Sequence, residues 1–177
     1  MDADLLPQED EVELKGSSII AAIKASGVEF ILSVPDIVTS GGLLRPIARD
    51  PQLKLIRVCK EDECIGIASG LSYCDKRALT LIQNTGFLDS INAIRGVAVE
   101  YAQPICMMIG LLQHDPYKAP RESPRYGVRI VEPILDAMGI GYHEIEQQAD
   151  VTKIKPAIDA AYASSKPTVI LIGQRPK

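Results

Sequence analysis

Short apolar runs alternate with helix-like segments along almost the whole chain, and this alternation restricts the fold more than any other feature. Runs rich in Val, Ile and Leu predict strands at about 28–34, 53–59, 77–83, 104–109, 142–145 and 167–172. The segments between them carry helical spacing, including 61–73 directly after the second predicted strand and a helix that follows Gly86 and reaches about Glu100. Strands that alternate with helices favour parallel pairing. We therefore expect an α/β fold, a three-layer doubly wound mainly parallel sheet with helices on both faces.

Composition predicts one globular domain preceded by a charged segment. The chain has 177 residues, of which 46% are hydrophobic, enough for a single core. Acids are concentrated at the start, at Asp2, Asp4, Glu9, Asp10, Glu11 and Glu13. We expect residues 1–14 to form a flexible acidic arm and residues 15–177 to form one domain. A docking strap for a partner subunit is the alternative role for the arm.

Several classes of function are disfavoured by the sequence. A net charge of −4 gives no support for nucleic-acid binding. The acidic N-terminus does not resemble a signal peptide, and no apolar run approaches the length of a membrane span. Four cysteines without a CxxC pair and only two histidines predict no metal site in this chain. We expect a cytoplasmic protein with reduced thiols.

Polar residues follow three of the predicted strands, at Pro35-Asp36, at Lys60-Glu61 and at 83–86 (Gln-Asn-Thr-Gly). The ends of parallel strands meet at one edge of a sheet, where α/β folds place their ligands. Glu61 stands out because it begins a predicted helix, where negative charge is favoured. In an apolar crevice, such an acid can exchange a proton with a heterocyclic nitrogen.

Each of these residues also has a purely structural interpretation. Asp36 is a favoured helix-capping residue, and Asn84-Thr85-Gly86 is compatible with an ordinary turn. Glu61 is one of several first-turn acids, with Asp62 and Glu63 as rivals for the same role. The coincidence of the three segments at one edge is stronger evidence than any single member.

Taken in order, these motifs resemble a known family. The segment from Lys60 to Gly70 is similar to the one around the cofactor-activating glutamate of thiamine diphosphate enzymes, with Glu61 and Gly70 at the family spacing. Val34-Pro35-Asp36, and 83–86 with Asn92 beyond it, resemble their counterparts in phosphonopyruvate and sulfopyruvate decarboxylases. The resemblance extends over about 16–172 and is to the pyrimidine-binding (PYR) domain.

The resemblance implies roles for individual residues. Glu61 would be catalytic through proton exchange with the aminopyrimidine of thiamine diphosphate, and Asp36 would be catalytic by contacting substrate or relaying protons. Asn84, Thr85 and Gly86 would bind the cofactor together with Glu61. The Gly-Asp-Gly segment that holds Mg²⁺ and the diphosphate does not occur here. The resemblance therefore implies a hetero-oligomer in which a beta subunit supplies the diphosphate-binding domain and most of the Mg²⁺ site.

The function implied is that of an alpha subunit of a thiamine diphosphate-dependent decarboxylase. Its substrate would be a small anionic 2-oxo acid such as sulfopyruvate or phosphonopyruvate. A basic loop with His114, Lys118, Arg121 and Arg125 is suited to attract such an acid. A carboligase subunit and a non-catalytic interaction or regulatory module of the same fold are the alternatives. An NAD-binding domain is disfavoured because no GxGxxG follows the first strand.

One departure from the family pattern concerns residue 60. Many thiamine enzymes have a histidine directly before the glutamate, whereas this chain has Lys60. An ammonium at this position would lower the pKa of Glu61 if the two were in contact, or it would meet an anionic substrate. A lysine that simply faces solvent is the third interpretation.

Overall fold

The structure, a computed structural model, describes residues 13–177. The predicted acidic arm lies outside the described residues except for Glu13 and Leu14. The strands are β1 Phe30–Ser33, β2 Lys54–Arg57, β3 Ala78–Gln83, β4 Cys106–Gly110, β5 Gly141–Ile145 and β6 Thr168–Ile172. The α-helices are α1 Gly16–Ala25, α2 Arg45–Ile47, α3 Glu61–Tyr73, α4 Asn84–Asp89, α5 Ile91–Ala93, α6 Tyr126–Arg129, α7 Val131–Met138 and α8 Ile154–Ser164. Two π-helical segments, Ser40–Leu44 and Ile94–Glu100, and two 3₁₀ segments, Pro120–Glu122 and Gln148–Lys153, complete the elements.

The six strands form one sheet in the order β2-β1-β3-β4-β6-β5, and every neighbouring pair is parallel. The predicted α/β fold with a parallel sheet is confirmed, and it is the architecture expected of a PYR domain. The order reverses on either side of β1, because the chain first moves outward to β2 and then back across β1 to β3. Such a switch point places loops beyond the carboxyl ends of the strands around an open crevice.

Each face of the sheet has its own apolar layer. On one face, α1, α8 and the segment from 43 to 47 pack against alternate strand residues such as Leu79 and Leu81. On the other face, α3, α4 and α7 pack against the intervening residues, among them Ile82 and Ile109. The strands β3, β4 and β6 are almost wholly buried, which explains why their sequences are continuous apolar runs.

The segment before α1 is part of the folded core rather than an extension from it. Leu14 is 0% exposed and packs in the layer that contains α1 and α8. The Gly16 N–H donates to the Lys177 carbonyl at 2.7 Å, and the Lys177 N–H donates to the Leu14 carbonyl at 2.9 Å. The ordered core therefore begins inside the segment that the sequence assigns to the arm.

The sequence-predicted elements agree with the structure at most positions, with one informative shift. The helix α3 has the predicted bounds, Glu61–Tyr73. The helix expected after Gly86 begins instead at Asn84, so Asn84, Thr85 and Gly86 form its first turn. No helix among residues 13–177 is both long enough and apolar enough to cross a membrane.

Candidate active site at the carboxyl edge of the sheet

Glu61 lies at the carboxyl edge of the sheet, where β2 has ended at Arg57 and α3 begins. Its side chain is half-buried, and its carboxylate has no hydrogen bond or ion pair with any residue of the described chain. The positive end of the helix dipole favours an acid at this position. A carboxylate without a partner in the described chain is available to a group from outside the chain.

Gly86 is the residue against which the Glu61 side chain rests. A methyl group added at Gly86 would lie 2.2 Å from Cγ of Glu61 and 2.5 Å from its Cδ and Oε1. Real Cβ atoms do not approach other atoms so closely, so a larger residue at position 86 would require the Glu61 side chain to move from its present position. The first turn of α4 and the first turn of α3 therefore meet through a side chain on one helix and bare backbone on the other. This contact brings together two of the residues that the sequence assigns to the site.

The two rival acids beside Glu61 have structural partners. The Glu63 carboxylate accepts hydrogen bonds from the N–H groups of Cys59, at 3.0 Å, and Lys60, at 3.4 Å. It thus satisfies backbone donors at the start of α3, as acids in a first turn commonly do. Asp62 lies 3.5 Å from the Lys60 ammonium. Of the three consecutive acids, Glu61 alone is left without a partner in the part of the chain that the structure describes.

Lys60 pairs with acids other than Glu61. Its ammonium lies 3.2 Å from Asp89 of α4 and 3.5 Å from Asp62. Hydrogen bonding to Asp89 and the negative charges of both acids raise the pKa of Lys60 above its ordinary value. Lys60 therefore makes no ion pair with Glu61. It forms a surface ion pair that connects the start of α3 to α4.

Asp36 reaches the same edge of the sheet, but its carboxylate is occupied by its own turn. One oxygen accepts from the N–H groups of Val38 at 2.6 Å and Thr39 at 2.7 Å, and the other accepts from the Thr39 hydroxyl at 2.6 Å. This turn packs closely over the end of β4, because a methyl at Gly110 would meet Val38 Cβ at 2.9 Å. Asp36 therefore closes a turn through Val38 and Thr39 and does not cap a helix, because the next helical segment begins at Ser40 with Thr39 in the capping position.

Asn84 is 3% exposed and connects three parts of the chain. Its Oδ1 accepts from the Leu112 N–H at 3.0 Å, and its Nδ2 donates to the Gly127 carbonyl at 3.0 Å. One side chain therefore holds both ends of the long polar loop after β4. The sequence does not indicate this role, because the partners are separated from Asn84 by 28 and 43 residues.

Thr85 is exposed at the start of α4, and its hydroxyl donates to Oε1 of Gln83 at 3.3 Å. The Nε2 atom of Gln83 is buried and has no partner among the described residues. A buried amide donor without a partner is uncommon in folded proteins. Gln83 is the last residue of β3, so this donor lies at the carboxyl edge, where a ligand would bind.

The loop 111–125 is less basic in the structure than in the sequence, because most of its cations are paired within the fold. Lys118 lies 3.3 Å from Asp115, and the buried His114 ring lies 3.1 Å from Glu146. Arg121 pairs with the buried Glu132 at 2.6 Å, and it also contacts Asp136 and the Tyr142 hydroxyl. Arg125 differs from them, as its guanidinium has no partner among residues 13–177.

The described residues contain no group of three or more His, Cys, Asp or Glu side chains that could hold a metal ion. All four cysteines are free thiols: Cys59 and Cys74 are exposed, while Cys64 and Cys106 are buried. Burial raises the pKa of Cys64 and of Cys106 to about 12. The two buried thiols are therefore neutral core residues rather than nucleophiles.

Comparison with known proteins agrees with this architecture. The chain is 30% identical over 160 residues to sulfopyruvate decarboxylase subunit alpha of Methanocaldococcus jannaschii, covering 89% of this chain and 93% of that protein. Proteins of the same name from Methanothermobacter thermautotrophicus and Methanococcus maripaludis are 30% and 34% identical over 92 residues, about half of each chain. No known family profile matches the chain.

The parallel sheet and the acid at its carboxyl edge define an α/β protein with its candidate site at a topological switch point. Given the similarity over nearly its whole length, the chain belongs to the family of sulfopyruvate decarboxylase alpha subunits.

Proposed function

We propose that this chain is the alpha, pyrimidine-binding subunit of a thiamine diphosphate-dependent decarboxylase of a small acidic 2-oxo acid. The observation that carries the proposal is the unpartnered carboxylate of Glu61, held against the bare backbone of Gly86 at the carboxyl edge. The names of the relatives support both the class of reaction and the division of the enzyme into subunits.

Glu61 has the chemistry that an aminopyrimidine requires. Thiamine diphosphate, when bound, supplies the nucleophilic carbon and accepts the electrons released with CO₂. The carboxyl group of Glu61 would exchange a proton with a ring nitrogen, which is general acid–base catalysis by a positioned side chain. Because Gly86 has no side chain, the Glu61 side chain can lie directly against the first turn of α4.

The other predicted residues would act in different ways. Asn84 would position the loop 111–125 through its bonds to Leu112 and Gly127, while Thr85 remains exposed beside Glu61 and Gly86 to contact the ring. Asp36 would hold the turn over β4, with substrate contact as its proposed second role.

We propose that a beta subunit completes the site. It would contain the diphosphate-binding domain and the ligands of Mg²⁺, and the isolated alpha chain would be inactive. The relatives' designation as subunit alpha supports a second subunit. We propose sulfopyruvate as the substrate by similarity to these relatives, with phosphonopyruvate as the alternative within the same chemical class.

The proposal is tested by reconstitution. The chain is mixed with its beta subunit, thiamine diphosphate and Mg²⁺, and CO₂ release from sulfopyruvate is measured. Glu61→Gln should lower kcat by about 100- to 10,000-fold, the range for loss of a positioned acid–base group. Assembly and thermal stability should be unchanged, since the carboxylate has no partner within the described fold.

Asp62→Asn is the matched control, because Asp62 is the neighbouring acid and pairs only with Lys60 in the described chain. Its activity should remain within about twofold of the wild type, as expected for an exposed ion pair. Full activity of Glu61→Gln in the assembled complex would refute the proposed role of Glu61 and the function that depends on it.

A further inference from the structure

Two arginines in the segment 125–129 lack an acidic partner, unlike the other cations of the neighbouring loop. Arg125 is exposed, and its guanidinium makes no hydrogen bond, ion pair or ring contact with any described residue. Arg129 lies over the ring of Tyr126, 5.4 Å from its centroid, and donates a long hydrogen bond of 3.5 Å to the Ser123 carbonyl. Tyr126 itself is 67% exposed. We refer to Arg125, Tyr126 and Arg129 as the arginine patch.

The arrangement of the arginine patch is electrostatically unfavourable for the chain alone. Arg125 is the capping residue at the start of α6, where the helix dipole disfavours a cation. Arg129, the last residue of α6, carries the same charge, so positive charge is concentrated in this short segment. No carboxylate of the described chain pairs with either guanidinium. An anion bound from outside the chain would offset both the unfavourable interaction of Arg125 with the helix dipole and the uncompensated positive charge of Arg125 and Arg129.

The fold places the arginine patch on the same side of the sheet as Glu61. Gly127, inside the patch, is held by Asn84 at 3.0 Å, and Asn84 begins the helix whose third residue is Gly86. Val128 packs in the apolar layer shared by α3 and α4. Arg57, another exposed arginine without a partner among the described residues, ends β2. It lies on the same face of the sheet as Leu55, which is opposite to the layer that contains α3 and α4.

We propose that the arginine patch, chiefly Arg125, binds the acidic group of the substrate, the sulfonate or phosphonate remote from its 2-oxo carboxylate. This inference rests on the proposed function. A guanidinium presents parallel N–H donors that match two oxygens of such a group, and these charge-assisted bonds are strong. Asn84 fixes the backbone between the two arginines, so the anion and the Glu61 carboxylate are held in a constant relation.

The test compares Arg125→Gln and Arg125→Lys with Arg49→Gln in the reconstituted complex. Arg49 is a matched control because it is exposed, has no partner in the described chain and lies near the amino end of β2, away from the carboxyl edge. Arg125→Gln should raise KM for sulfopyruvate about 10- to 100-fold, the expected loss for a charge-assisted hydrogen bond, with kcat within about threefold. Arg125→Lys should restore part of the loss, and Arg49→Gln should change neither constant.

A 2-oxo acid of similar size that lacks the second acidic group separates recognition of the sulfonate from a general defect. KM for 2-oxobutanoate should be the same for the wild type and Arg125→Gln. An equal rise for both substrates, or no rise for sulfopyruvate, would overturn the proposal. Weaker assembly of Arg125→Gln with the beta subunit, together with normal KM and kcat in the assembled complex, would also overturn the proposal, because the arginine patch would then be a protein interface.

Binding of an unreactive analogue distinguishes this inference from the proposed function. Titration calorimetry of the wild-type complex with 3-sulfopropionate should detect binding that is at least about tenfold weaker in Arg125→Gln. If the complex releases no CO₂ from any 2-oxo acid but binds the analogue through Arg125, the decarboxylase function fails and the anion site stands. Absence of binding by the wild type at millimolar concentrations would overturn the anion site.

Discussion

The α3–α4 junction and the loop 111–125 lie at the same edge of the sheet, but they use their charged side chains differently. At the junction, the Glu61 carboxylate lies against Gly86 without a hydrogen bond to the described chain. In the loop, Arg121 is bound to Glu132 and the His114 ring to Glu146. A side chain whose bonds are satisfied inside the fold holds backbone in place, whereas an unsatisfied one is available to a ligand.

This difference divides residues that the sequence places in one group. Asp36 and Asn84 are near Glu61 along the edge, yet both have their polar atoms engaged with backbone. They shape the edge by fixing the turn over β4 and the two ends of the loop. Glu61 and Arg125 share the opposite property, since neither the Glu61 carboxylate nor the Arg125 guanidinium has a partner among residues 13–177.

Replacement of Gly86 by Ala should have the largest effect, because it acts on the α3–α4 junction, where the Glu61 carboxylate has no partner in the described chain. The new methyl would lie 2.2–2.5 Å from the Glu61 side chain and displace its carboxylate. We expect at least about a 100-fold loss of kcat in the reconstituted enzyme, because misplacement of a catalytic group by about 1 Å costs this much. Steady-state decarboxylation assays would measure it.

Gly66→Ala is the control for that substitution. Gly66 lies in α3 with open space around its Cα, so Ala should stabilise the isolated chain by about 0.5–1 kcal/mol through its higher helix propensity. A Gly86→Ala enzyme with wild-type kcat would show that the position of the Glu61 carboxylate does not matter.

Replacement of Asn84 by Ala tests the other class of residue, the side chains whose hydrogen bonds are satisfied within the fold. The Leu112 N–H and the Gly127 carbonyl would lose their partner, so the free energy of unfolding should fall by about 2–4 kcal/mol. Urea denaturation of the isolated chain would measure the loss. Thr85→Ala, which removes one exposed 3.3 Å hydrogen bond, should cost less than about 0.5 kcal/mol. Equal losses for the two variants would contradict the role assigned to Asn84.

Glu144, which is hydrogen-bonded to the Arg121 partner Glu132, should make the free energy of unfolding depend on pH. Burial, a hydrogen bond to Glu132 and the charges of Glu132 and Glu146 raise the pKa of Glu144 to about 7, opposed by Lys153. The folded chain therefore keeps a proton that the unfolded chain loses near its ordinary pKa of 4.5. The stabilisation is complete below this value and is lost as pH rises through about 7.

We expect the denaturation midpoint to decrease between about pH 4.5 and pH 7 and then to level off. Glu144→Gln keeps a hydrogen-bond donor to Glu132 but cannot titrate, so it should flatten this profile. A mutant profile parallel to that of the wild type would show that other groups cause the dependence.

A small effect is expected for Glu63, whose carboxylate caps α3 next to the unpartnered carboxylate of Glu61. Glu63→Ala removes hydrogen bonds to the Cys59 and Lys60 N–H groups and should cost about 0.5–1 kcal/mol of stability. The kcat of the reconstituted enzyme should be unchanged. A large loss of kcat with normal stability would make Glu63, rather than Glu61, the candidate acid.

The sequence predicts the elements well because their signals are local. The apolar run of β3 and the spacing of α3 are contained in short windows, and Glu61 is found because it begins a helix just after a strand. The contacts of Asn84, His114 and Arg121 could not be predicted in this way. Their partners lie 11 to 43 residues away, and they meet only because the loop takes one particular path.

The helix that begins at Asn84 shows the same limit on a smaller scale. Asn-Thr-Gly is a common turn sequence, and its local preference predicts a turn before the helix. In the structure the side chain of Asn84 is satisfied by Leu112 and Gly127, so it no longer competes for its own backbone, and the helix starts at Asn84 rather than after Gly86.

The contact between Glu61 and Gly86 has a consequence for how this family diverges. A side chain at position 86 cannot coexist with the present placement of the acid at position 61, so the two positions should change together during evolution. Homologous chains that retain both residues are expected to keep the ancestral chemistry. A descendant that acquires Ala or Ser at position 86 while it retains the acid is expected to have been recruited for another task.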